Sequence, residues 1–258
     1  MSLSPYDELA DIYDSFQEDI SPDAWASYLD TLIRKYGPRT GDGEEGALLL
    51  ADLGCGTGTI LRAMTRRGYD AIGIDASPRM LAKAAAESSG EEGKILYLCQ
   101  DISRMELFGT VDVFLCLLDT WNHLTRKKDI ERMLASFRNY LNPGGLFIFD
   151  VVTEAHLRDT LGNSFFYRVG DDFSLLWQNN WSPSSSVSTS EITVFSRDPD
   201  GRYKRGDARI REKLYSDEEI RDLLRNAGLE PIGCYGELSH KRPTRTSKRI
   251  FYVARRPA

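Results

Sequence analysis

Residues 48–61 read LLLADLGCGTGTIL. Glycines fall at alternate positions, Gly54, Gly56 and Gly58, directly after an apolar run that carries Asp52. Glycine has no Cβ, so such a turn lets a ligand lie against bare backbone and against the amides that open the next helix. Asp75 follows about twenty residues beyond Gly54, and an acid at that distance in a strand–helix–strand unit reaches the hydroxyls of an adenosine ribose. The alternative for Asp75 is an acid set against a helix dipole. Two more polar groups follow later apolar runs: Gln100-Asp101-Ile102, and Asp119-Thr120-Trp121-Asn122-His123. Asp119 and His123 are residue types that take up a proton from a reacting group. A loop histidine without chemistry is the competing reading of His123.

These residues need strands to end where they stand. The runs 48–53, 71–75, 95–99 and 111–118 are short and nearly continuously apolar, as strands buried on both faces of a parallel sheet are. Between them lie helical patterns: one opening at Thr59 with Ile60, Leu61 and Met64, one capped by Ser77-Pro78 with Met80, Leu81 and Ala84 inward, and one over 129–141. Asn142-Pro143-Gly144-Gly145 then turns into a fifth strand, 146–152. Ligands of open α/β sheets bind beyond the carboxyl ends of the strands, which is where these acids fall.

Upstream, Ser4-Pro5 and Ser21-Pro22 predict two helices, proline being tolerated in a first turn. Tyr6, Leu9, Ala10 and Tyr13 share a face of the first, and Trp25, Tyr28, Leu29, Leu32, Ile33 and Tyr36 form a stripe on the second. Residues 37–46 read as a loop. Downstream, 165–169, 173–181, 187–195 and 203–214 read as consecutive strands with short turns, an antiparallel meander. Ser216 to Glu219 is a capping box opening a helix that Gly228 ends. Two final strands, 229–238 and 250–254, flank SHKRPTRTSKR (239–249), either a solvated loop or a contact for an anionic acceptor.

The G-x-G-x-G turn led by Asp52, the acids at Asp75 and Asp101 and the L-x-P-G-G turn resemble the class I S-adenosylmethionine (SAM) methyltransferases. The tyrosines of YDELADIYD and the β-rich insertion are similar to a bacterial group of that family, the YqeM-like one. The resemblance implies an α/β Rossmann-like fold: a seven-stranded, mostly parallel sheet with an antiparallel β insertion after strand five. It implies one methyltransferase domain over 1–258, with a helical cap (1–46), a SAM-binding core (47–152), the insertion (160–215) and a closing helix and strand pair (216–258). SAM is the implied cofactor. Its contacts would come from Tyr13, Asp52, Gly54, Cys55, Gly56, Thr57, Gly58, Asp75, Ala76, Asp101, Ile102 and Cys116. Asp119 and His123 are the catalytic expectation; Tyr6, Trp121, Asn122, Tyr167 and Trp177 are the acceptor-binding one. No metal is required, because the sulfonium is already a strong methyl donor.

Composition bounds the rest. With 258 residues, 41% hydrophobic and 28% charged, the chain reads as an ordinary globular protein. A net charge of −6 argues against a general nucleic-acid binder. Cys55, Cys99, Cys116 and Cys234 are scattered without metal-ligand spacing. The acidic N-terminus has no signal-peptide pattern and no apolar run approaches a membrane span, so a cytoplasmic location is expected. A small-molecule acceptor is the leading expectation. An RNA or protein acceptor, a non-catalytic SAM-binding module and a nicotinamide oxidoreductase are the alternatives; the glycine spacing argues against the last.

Overall fold

The computed structural model describes residues 4–17, 19–38, 47–89 and 95–258. Elements follow in chain order: α1 (Tyr13–Phe16), α2 (Pro22–Tyr36), β1 (Leu49–Leu53), α3 (Thr59–Thr65), β2 (Asp70–Asp75), α4 (Pro78–Glu87), β3 (Ile95–Cys99) and β4 (Val111–Cys116). Then come α5 (Thr120–His123), α6 (Lys127–Tyr140), β5 (Leu141–Val152), β6 (Phe165–Val169), β7 (Phe173–Ser182), β8 (Val187–Arg197), β9 (Tyr203–Lys213), α7 (Asp217–Asn226), β10 (Glu230–Gly236) and β11 (Arg249–Arg255).

Seven strands form one sheet in the order β10-β11-β5-β4-β1-β2-β3. β11 runs antiparallel to both β5 and β10, and the other neighbours are parallel. Alternate side chains of each strand go to opposite faces. Val113 and Leu115 of β4 pack with α2 and α3 through Leu29, Leu32, Ile60 and Met64. Phe114 and Cys116 pack with α6 and α7 through Met133, Phe137, Ile220 and Leu224. The chain order reverses at β1, which lies between β2 and β4. The crevice beyond β1 and β4 is where such sheets take ligands.

Local signals explain the helices. The Ser21 side chain accepts from the Ala24 amide, Ser77 from Met80 and Ser216 from Glu219, whose own carboxylate takes the Ser216 amide. Each such cap contributes about 1 kcal/mol. The N-P-G-G stretch expected as a turn is absorbed into β5, with a register shift against β4 between Val111 and Val113.

β6 to β9 form the second sheet, the antiparallel meander expected between strand five and the last helix. The predicted first helix is the correction. Residues 5–12 are a series of turns, with i to i+3 bonds from Asp7 to Ser4, Leu9 to Tyr6 and Ile12 to Leu9, and only Tyr13–Phe16 is helical. Tertiary contacts override the helical pattern: Leu9 and Ile12 pack on Leu175, Ile192, Val194 and Ile210 of the second sheet, while Asp7 hydrogen-bonds the buried hydroxyl of Ser77 at 2.5 Å. The segment therefore straps one sheet to the other. Residues 39–46 of the expected 37–46 loop lie outside the described residues. Among the described residues no helix is long and apolar enough to cross a membrane.

Candidate functional site

A cavity of about 200 Å³ lies at the crevice, lined by Ser4, Tyr6, Tyr13, Gly54, Gly56, Asp75, Ala76, Met80, Asp101, Ile102, Leu118, Thr120, His123 and Leu124. Its floor is the glycine turn. Gly54 has φ +80°, and a Cβ there would come within 2.5 Å of the Thr120 side chain. Only glycine suits that position. Gly56, φ +55°, faces the Tyr13 ring.

Asp75 ends β2 and is fixed by two amides: Gly56 donates to Oδ2 at 2.9 Å and Ser77 to Oδ1 at 2.8 Å. Burial raises its pKa, with the amide bonds opposing. Asp101 caps the short 3₁₀ turn Ile102–Arg104 by accepting from the Ser103 amide at 2.9 Å. Asp52 is buried beneath, its Oδ1 without a hydrogen-bond partner, and burial together with Asp75 and Asp150 pushes its pKa up to about 7.

The opposite wall comes from the chain after β4. Leu118 and Asp119 both have left-handed backbones, φ 52° and 59°, which cost such residues of order 1–3 kcal/mol each. Asp150, fully buried on β5, holds them: it accepts the Leu118 amide at 2.7 Å and the Asp119 amide at 3.0 Å. Arg249 closes this network, pairing with Asp150 and, at 2.8 Å, with Asp119 Oδ1. Burial alone would raise the Asp119 pKa, but Arg249 and His123 more than offset it and hold it at about 2.

The Tyr6 hydroxyl lies 2.9 Å from His123 Nε2, and His123 Nδ1 lies 3.3 Å from the Arg211 carbonyl. A carbonyl only accepts, so Nδ1 carries the hydrogen and Nε2 presents its lone pair. Burial raises the Tyr6 pKa, so the phenol stays a donor. Asp119 Oδ2 stands 3.6 Å from Nε2. Glu212 of β9 joins them: one donor atom each of Asp119, His123 and Glu212 lies within 4.8 Å of the others. Nε2 takes the Tyr6 hydroxyl and Asp119 the Arg249 guanidinium.

The structure thus gathers Tyr6, Tyr13, Gly54, Gly56, Asp75, Ala76, Asp101, Ile102 and His123 on one cavity. Cys55, Thr57, Gly58 and Cys116 lie off it. The Thr57 hydroxyl bonds Asp14 at 2.6 Å, and Cys116 is buried in the core. Four residues expected to bind the acceptor lie off the cavity. Trp121 is fully buried and stacks on Phe149 at 4.4 Å. Asn122 is a buried bolt, accepting from the Val152 amide and donating to the Lys213 carbonyl. Tyr167 is 71% exposed on β6, away from the cavity. Trp177 packs against Phe166 within the insertion. Arg249, expected in a basic loop, is half-buried in the Asp119–Asp150 network.

Sequence reasoning missed Asp150, Arg249 and Glu212. The signal for Glu212 was there: β9 buries Gly206, Ala208, Ile210 and Glu212 at alternate positions, so an acid continues an inward face.

Comparison with known proteins agrees with this geometry. Residues 50–145 match the family model described as a methyltransferase domain. "Putative methyltransferase YqeM" of Bacillus subtilis (strain 168) is 27% identical over 252 residues, covering 97% of each chain. The crystal structure of a SAM-dependent methyltransferase from Clostridium acetobutylicum ATCC 824 superposes with a TM-score of 0.84 at 25% identity, over 98% of this chain and 99% of that one. The sugar N-methyltransferase KedS8 from Streptoalloteichus sp ATCC 53650 superposes with a TM-score of 0.72 at 20% identity, over 95% and 93%. With its sheet order, its glycine turn and these likenesses, the chain is a SAM-dependent methyltransferase, similar over nearly its whole length to the YqeM-like bacterial proteins.

Proposed function

We propose that the enzyme transfers the SAM methyl group to a small-molecule acceptor held between the glycine turn and the Tyr6–His123 pair. The observation that carries this is the cavity itself. One end presents bare glycine backbone and the carboxylates of Asp75 and Asp101; the other presents an imidazole whose Nε2 accepts from the Tyr6 phenol at 2.9 Å. SAM, when bound, supplies a methyl on a positively charged sulfur. The residues present fit that group. Asp75 would take the ribose hydroxyls, Asp101 and Ile102 the adenine, and Gly54 and Gly56 the amino-acid part above Asp52. Tyr13, whose ring lies across from Gly56, would close over it.

Catalysis in this reading is mainly positioning, since orientation of reacting atoms at about 3–3.5 Å supplies several kcal/mol of a barrier. His123 Nε2 takes the acceptor's proton where it arrives with one. Segment 4–17 contributes Ser4, Tyr6 and Tyr13 to the lining. The chain works as one unit here, because segment 4–17 touches both sheets. A solved neighbour that acts on sugars supports the small-molecule choice.

The test is transfer of label from tritiated SAM to fractionated metabolites, bulk tRNA and protein. The expected outcome is label in a low-molecular-weight fraction. Label confined to tRNA, lost at moderate salt, would replace this reading with a nucleic-acid one.

A further inference from the structure

The cavity is lined by Asp75, Asp101 and His123 as its titratable acids and base, with no lysine or arginine among the described lining residues. Arg249, behind it, is engaged by Asp150 and Asp119. At the His123 end the carboxylates are Asp119 and Glu212; an anionic acceptor arriving there would be repelled by them, whereas a cationic one would lower their mutual repulsion. His123 stands at the end where the acceptor must arrive. Around it are Asp119 on its own helix, Glu212 and the Arg211 carbonyl from β9, Tyr6 and Tyr13 from the strap, and Arg249 of β11 behind Asp119.

Glu212 breaks the apolar pattern of the inward face on which it stands. Its neighbours on the inward face are Ala208 and Ile210, and a neutral side chain would continue that face at no electrostatic cost. It is instead 7% exposed and set beside another carboxylate. We propose that Glu212 is a positioning residue that keeps His123 basic enough to take a proton from an ammonium, and that the acceptor is therefore an amine. This rests on the small-molecule reading above.

The electrostatics agree. Burial alone would lower the His123 pKa, but Asp119 and Glu212 more than offset it, and the net shift is upward. Burial and the Asp119 charge raise Glu212 to about 7. An aliphatic ammonium loses its proton about four pH units above an ordinary imidazole, within reach of such a base, whereas an alcohol, near water at about 15.7, is far beyond it. The step balances as follows. The ammonium R–NH₃⁺ gives one proton to His123 Nε2 and becomes R–NH₂. Its lone pair forms the N–C bond to the methyl carbon while the C–S bond breaks, and that electron pair stays on sulfur. The products are R–NH₂⁺–CH₃ and the neutral thioether S-adenosylhomocysteine, and His123 releases its proton to solvent.

The experiment has two arms. In the first, the imidazole signals of the full chain bound to S-adenosylhomocysteine are titrated by NMR from pH 5 to 9, His123 being assigned with His123→Gln. Glu212→Gln is expected to move the His123 midpoint down by about one pH unit, and Glu212→Asp to restore most of it. An unchanged midpoint in a Glu212→Gln protein that still binds S-adenosylhomocysteine overturns the role of Glu212. In the second arm, labelled SAM is offered with amino sugars, amino-acid esters and aliphatic amines, each beside its matched alcohol or carboxylic acid. Methylated amines are expected, with the acid limb of the kcat profile moved down in Glu212→Gln by the same amount and the KM for SAM unchanged. Product only on hydroxyls or carboxylates, or none on any amine, overturns the amine assignment while leaving the small-molecule reading standing. Label found only in tRNA sinks that reading itself.

Discussion

The two walls of the cavity are built by different means. The nucleoside wall comes from a short stretch of chain, Gly54 to Ile102, and is made mostly of backbone: Gly54 and Gly56 with positive φ, Asp75 held by the Gly56 amide of the glycine turn and the Ser77 amide two positions on, and Asp101 held by the Ser103 amide. The acceptor wall comes from four remote segments. Tyr6 meets His123 across 117 residues, His123 meets Arg211 across 88, and Arg249 meets Asp119 across 130. Its polar groups are side chains in ion pairs, and its backbone is strained at Leu118 and Asp119. A wall of backbone serves a ligand that never changes. A wall of side chains drawn from several elements can change its chemistry without disturbing the sheet.

That contrast can be broken or sharpened by substitution. The largest effect is expected from the acceptor wall's central ion pairs. Arg249→Met removes the partner of the fully buried Asp150 and should lower unfolding free energy by about 3–5 kcal/mol, read from urea unfolding; a loss below about 1 kcal/mol would mean the network is not held by charge. On the nucleoside wall, Asp75→Ala should weaken SAM by roughly ten- to hundredfold, because hydrogen bonds to a charged group are worth about 1.5–3 kcal/mol. Calorimetry showing unchanged affinity would remove Asp75 from the ribose. The smallest effect is expected outside both walls. Lys241, Arg242 and Arg245 are exposed and off the cavity, so changing all three to Glu should leave SAM affinity and small-molecule turnover within about twofold. A collapse of turnover would place that loop in the acceptor site.

The same contrast explains what could be read from sequence. The parallel strands were legible because each is a continuous apolar run, and the glycine turn because positive φ selects glycine. The meander was legible from alternation and turn residues. Asp150 was hidden inside LFIFDVV, where a lone acid does not interrupt a buried strand pattern. Arg249 was hidden at the end of a basic run, since sequence alone does not tell the one cation that turns inward from its solvated neighbours. The turns at 5–12 escaped because their conformation is set by Ser77 and the second sheet, not by neighbours in the chain. Trp121 and Asn122 follow the right strand but point into the core, one or two positions around α5 from the cavity-lining Thr120 and His123, a choice that tertiary packing decides.

The two consecutive left-handed residues, Leu118 and Asp119, bear on how this protein responds to selection. Glycine at Leu118 would relax the backbone and could be picked by any screen for heat resistance alone, since natural proteins sit below their stability optimum. It would also let the segment between β4 and α5 wander, and with it the spacing between Asp119 and His123. Variants enriched for survival at high temperature and variants enriched for turnover should therefore diverge at this one position, and sequencing both pools would show at which residue robustness and activity part company.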